Sequence, residues 1–83
     1  MLSEGVKMRI VSQNRCFDIP YDRFMIGMIG TDAQIEVYAQ DEKGINFILG
    51  DYKNTARAKA ETKKLRFAYS KGQKIYYMGE DEK

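Results

Sequence analysis

Residues 54–72, NTARAKAETKKLRFAYSKG, form the one stretch of this chain suited to a long helix. Asn54 is a good N-cap, because its side-chain oxygen can accept from the exposed first-turn amides. Gly72 is a good residue to follow the last turn, free to take the left-handed conformation that ends helices. Between them Ala58, Leu65, Ala68 and Tyr69 make a narrow apolar stripe, with Thr62 inside it. The small side chains at Ala58 and Ala68 let the helix lie close to a sheet. Arg57, Lys59, Lys63, Lys64, Arg66 and Lys71 fall on the other side. Like charges three or four apart cost about 0.2–0.5 kcal/mol per pair, so packing must hold this helix in place. Phe67 lies off the stripe and is either a second core contact or an interface residue.

The remainder reads as strands. Residues 7–13, KMRIVSQ, alternate, with Met8 and Ile10 on one face and Arg9 and Val11 on the other. Asn14-Arg15 is a plausible tight turn into a short strand over 16–19, stopped at Pro20, which has no amide hydrogen for a ladder. Residues 24–29, FMIGMI, form a third strand, in which Gly27 signals a bulge or a close backbone approach. Residues 34–39 alternate, with Ile35, Val37 and Ala39 inward. A turn at Asp41-Glu42-Lys43-Gly44 leads to a fifth strand over 45–49. Residues 50–53 lead into the helix, and 74–78, KIYYM, make a last strand. The expectation is a single α+β domain over 1–83. It consists of an antiparallel meander of about five strands, one helix over about 54–71 packed on one face, and a short C-terminal strand. Residues 1–5 and 80–83 are expected to be flexible tails, and Gly79 is grouped with the frayed acidic end.

A chain of 83 residues buries only about 60–65% of its unfolded surface. The single cysteine, Cys16, excludes an internal disulfide, and the absence of histidine removes the usual zinc site. By elimination, a homo-oligomer (dimer or tetramer) is the expected source of extra stability. Charge is segregated beneath a net of +2: the balance is −3 over residues 1–52, +7 over 53–74 and −2 over 75–83. Such a chain can attract an anion at one face, although a basic helix is also an ordinary solvated surface. No apolar run approaches a membrane span and no signal-peptide core is visible, so the cytoplasm is the expected compartment.

Catalytic constellations are weak, and the chain reads as a non-enzyme. Cys16 has no histidine partner and reads as a structural thiol in a short apolar strand. Asp18 and Asp22 flank a proline that fixes no shared geometry. Gly27-Met28-Ile29-Gly30 lacks the Gly-Lys-Ser/Thr ending of a phosphate loop. No metal or cofactor is implied. Six tyrosines and four phenylalanines are too many for a core this small, because each phenol needs a partner or water. Tyr76 and Tyr77 are adjacent, so in a strand one packs under the helix and the other meets solvent, a ligand or a subunit. Tyrosine beside arginine is the composition of a base-stacking, phosphate-holding site, and equally of a protein interface. Nucleic-acid binding through the basic helix competes, but its face offers few groups for reading base edges.

Five motifs, MRIVSQ (8–13), FDIPY (17–21), LGDY (49–52), Ala68-Tyr69 and YYM (76–78), resemble a family of small proteins common in phages, prophages and mobile elements of Gram-positive bacteria. The resemblance spans residues 8–82 and itself assigns no residue a role. Similar small phage proteins include anti-defence sponges, which hold a cyclic-nucleotide immune signal without cleaving it. The resemblance therefore implies a non-enzymatic oligomer that sequesters a cyclic dinucleotide at a subunit interface. An isologous interface presents each residue twice and suits a pseudo-symmetric ligand. Arginines would hold phosphates and tyrosines would stack on bases, and the candidates are Arg9, Arg15, Tyr21, Arg23, Arg66, Tyr69, Tyr76 and Tyr77. The alternatives are an inhibitor acting by contact with a host protein, and a small nucleic-acid binder.

Overall fold

The structure, a computed structural model, describes residues 7–31 and 33–80. Their order is β1 (Arg9–Val11), β2 (Asp18–Pro20), a 3-10 turn (Tyr21–Arg23), β3 (Met25–Gly30), β4 (Ile35–Gln40), β5 (Asn46–Tyr52), α1 (Thr55–Ser70) and β6 (Ile75–Tyr77). The α+β class, the single helix and the short last strand are as expected. The distribution of strands is not. One antiparallel sheet holds β3-β4-β5, and a second holds β2-β1-β6, in which β6 runs parallel to β1. Pro20 explains the break: it ends β2 and hands the chain to the 3-10 turn, which carries it away before β3 begins.

Alternation places the core. Met8, Ile10 and Ile19 point inward from the β1–β2 hairpin, and Ile35, Val37 and Ala39 from β4. Helix α1 packs on β4 and β5, with Ala58, Leu65 and Ala68 buried, and meets the second sheet through the Glu61–Tyr76 hydrogen bond. Its ends are as read from sequence: the Asn54 side chain accepts from the Arg57 amide, and Gly72 has φ +81°. Gly27 is a close approach rather than a bulge. It pairs with Tyr38, whose hydroxyl would sit 2.6 Å from a β-carbon at that position.

Several boundaries differ. β5 continues through Gly50 and Asp51 to Tyr52, because an irregularity at Val37/Tyr38 shifts its register and lets the strand run on beside β4. Cys16 lies outside β2 and is exposed, so it is not a buried structural thiol. The turn before it closes without glycine: Arg15 takes φ +65°, and the Asn14 carboxamide accepts from the Cys16 amide and the Ser12 hydroxyl. Phe67 is 62% exposed and is not a core contact. Residues 1–5 lie outside the described residues, as do 81–83, while Glu80 is exposed.

Gly79 corrects the frayed-end expectation. Its amide donates to Glu61 Oε2 at 2.8 Å. Its carbonyl accepts from Gln13 Nε2 at 2.8 Å and from the Tyr52 hydroxyl at 2.6 Å. The adjacent Met78 amide donates to the Val11 carbonyl, so the chain is fixed here from three sides.

Candidate functional site

The eight candidates separate into three places, and the sheet register decides which. In the β2-β1-β6 sheet, Ile10, Ile19 and Tyr76 share the inner face, while Arg9, Val11, Asp18 and Tyr77 share the outer one. On that outer face Arg9 is bound through both its Nε and an Nη to the Asp18 carboxylate. The bond and charge of Asp18 push the Arg9 guanidinium up from its ordinary pKa. Arg9 is thus a cation already occupied. Arg15 lies over the exposed Tyr77 ring, 5.0 Å from its centroid.

Tyr76, on the inner face, belongs to a closed polar cluster. Its hydroxyl donates to Glu61 Oε2 at 2.6 Å. Burial, followed by the hydrogen bond to Glu61, pushes its phenol well above the ordinary value. Glu61 is buried on the helix stripe and serves Tyr76 and Gly79 together. Glu61 Oε2, the Tyr76 hydroxyl and the Gly79 amide are thus engaged within the chain.

The third place is open. Tyr21, on the 3-10 turn, packs against Tyr69 of α1, with ring centroids 4.5 Å apart and planes tilted by 37°. Beside this pair is a cleft of about 340 Å³ between the 3-10 turn, β3 and α1. Its walls include Tyr21, Asp22, Phe24, Met28, Leu65 and Arg66. Among the described residues no carboxylate pairs with Arg66. Apolar walls, the Tyr21 ring and the Arg66 guanidinium suit the cleft to a flat ring bearing an anionic group held on the Arg66 side, away from the Asp22 carboxylate. Arg23 is exposed on the same turn but does not line the cleft.

The candidate list missed Asp22, Phe24 and Met28 in the cleft, and Glu61, Gln13 and Gly79 in the closed cluster. Glu61 did carry a signal. It is the only acidic residue in 53–74 and sits three after Ala58 and four before Leu65, on the apolar stripe. Nothing local in sequence marks Gln13, whose partners lie 38 and 66 residues away.

Among the described residues, no group of His, Cys, Asp and Glu is placed to hold a metal ion. No described helix is long and apolar enough to cross a membrane. No family model, curated protein or solved structure matches the chain.

Proposed function

We propose that the chain is a non-enzymatic binding protein that sequesters a cyclic dinucleotide in the cleft beside Tyr21 and Tyr69, as part of an oligomer. The observation that carries this reading is the Arg66 guanidinium, without a carboxylate partner among the described residues, on the wall of a cleft that Tyr21 also lines, with the Tyr69 ring packed behind Tyr21. A base can extend the stack, while Arg66 meets a phosphate with two donors. The cleft, at about 340 Å³, lies at the small end of ligand pockets, about 300–1,000 Å³. It suits one half of a cyclic dinucleotide, and a second copy would hold the other half. In a phage-encoded protein such binding would withdraw an immune signal without chemistry.

Calorimetric titration against cyclic di- and trinucleotides tests the reading. Heat with at least one of them, with Kd raised at least tenfold by Arg66→Ala, supports it. Absence of heat with all of them removes it.

The exposed Phe67, with Lys71 Nζ 5.3 Å from its ring centroid, favours a second reading, inhibition of a host protein by contact through the outer face of α1. Under that reading Phe67→Ser abolishes capture of a protein partner, and nucleotides have no effect.

A further inference from the structure

The two sheets have four edge strands, and one of them differs from the rest. β2 and β6 are three residues each, and β2 ends in proline. β5 is closed by Gln13, whose amide donates to the Leu49 carbonyl and whose side chain accepts from the Asp51 amide. β3, MIGMIG, is six residues long, uncharged, free of proline, and among the described residues has no strand on its outer side. Edges of this length are ordinarily blunted by charge, proline or covering chain. Here Met25, Met28 and Ile29 are all exposed.

The phase of the ladder fixes which backbone groups are free. The Thr31 amide donates to the Gln34 carbonyl at 3.0 Å, one step beyond the Gly30–Ile35 pair. Bonded rungs alternate along an antiparallel ladder. Met25, Gly27 and Ile29 therefore turn their backbone groups toward β4, and Ile26, Met28 and Gly30 turn theirs outward.

We propose that a second copy of this chain pairs antiparallel along β3, about a two-fold axis at Met28, and that the pairing joins two cationic half-grooves into one anion site. In this register Met28 faces the partner's Met28 and Ile26 faces the partner's Gly30, so every outward group meets an outward group. The strand itself carries no charge, so the only like charges that the pairing brings together are those of the helix beside it. Beside Met28 runs a groove with a wall on one side only, formed by α1 with Lys59, Lys63 and Arg66. The two-fold supplies the missing wall and brings the same three cations from the other side. Their mutual repulsion opposes pairing until an anion with two-fold symmetry neutralises them, so association and binding are coupled. The strand pairing stands on backbone geometry alone, while the choice of anion rests on the cyclic-dinucleotide reading above.

Two measurements on the full chain test this. Sedimentation velocity reads the mass with and without cyclic di-AMP and cyclic di-GMP. Disulfide trapping on a Cys16→Ser background reads the register. Met28→Cys should cross-link, because facing residues in a bonded pair have Cα atoms about 5.5 Å apart. Met25→Cys should not, because its two copies lie about 20 Å apart at roughly 3.3 Å per residue. Lys63→Gln should raise the dimer fraction without nucleotide and reduce the nucleotide-induced gain. A monomer at all concentrations, with or without nucleotide, overturns the pairing, as does trapping by Met25→Cys in place of Met28→Cys. A dimer trapped through Met28→Cys but indifferent to both nucleotides supports the pairing and overturns the anion assignment. A nucleotide that binds a strict monomer overturns the pairing and leaves the cleft reading standing.

Discussion

Glu61 and Arg66 lie five residues apart on the same helix, and the structure uses them in opposite ways. Glu61 is buried and its carboxylate is taken up by Tyr76 and Gly79. Arg66 is exposed on the wall of a cleft, with no carboxylate partner among the described residues. Both sites combine a charged helix residue with tyrosine, so composition alone does not distinguish them. The difference is whether the polar groups are satisfied within the chain. A satisfied cluster specifies structure and resists change, whereas an unsatisfied charge beside stacked rings is available to a partner.

The comparison is broken most readily at Glu61. Glu61→Ala leaves a phenol and a backbone amide without their acceptor and should cost about 3 kcal/mol in urea denaturation. A loss below about 1 kcal/mol would mean that water replaces the carboxylate and that the cluster is not closed. Tyr76→Phe removes one of those bonds and should cost about 1 kcal/mol near neutral pH. It should also change the alkaline limb. The folded-state pKa of Tyr76 is raised above its ordinary 10.0, so the folded form holds its proton longer than the unfolded form. The resulting stability is complete below about pH 10 and is lost as pH rises beyond it. The wild type should lose stability there more steeply than the phenylalanine variant, and parallel curves would contradict the assignment. Asn54→Ala, which removes the helix cap, should cost about 1 kcal/mol by the same assay. Smallest is Arg9→Ala: the ion pair with Asp18 is exposed and should leave the denaturation midpoint unchanged at 0.15 M salt.

Local rules carried most of the elements. The 3.6-residue stripe and both helix ends are visible in 54–72, and alternation located Ile35, Val37 and Ala39. It also predicted that Tyr76 and Tyr77 diverge, one beneath the helix and one outward. What local rules could not supply is pairing between distant segments. β6 lies parallel to β1 across more than sixty residues, and that single choice divides the strands into two sheets and sends Arg9, Arg15 and Tyr77 away from Arg66. The apolar run FMIGMI reads as a strand but does not reveal its place in a sheet: β3 is an edge, and Met25 and Ile29 project from the sheet face opposite α1. The eight candidates were chosen for chemistry without knowledge of that topology. Only Tyr21 and Arg66 line the cleft, with Tyr69 packed against Tyr21.

The most direct test of the open-versus-closed distinction is the nucleotide-induced shift in thermal midpoint, measured on wild type and on Arg66→Ala in parallel. The account predicts equal midpoints without ligand, because Arg66 is exposed. It predicts a rise of several degrees for wild type with a saturating cyclic dinucleotide, and little or none for the variant. Equal shifts in the two proteins, or no shift in either across the cyclic-dinucleotide panel, would contradict it.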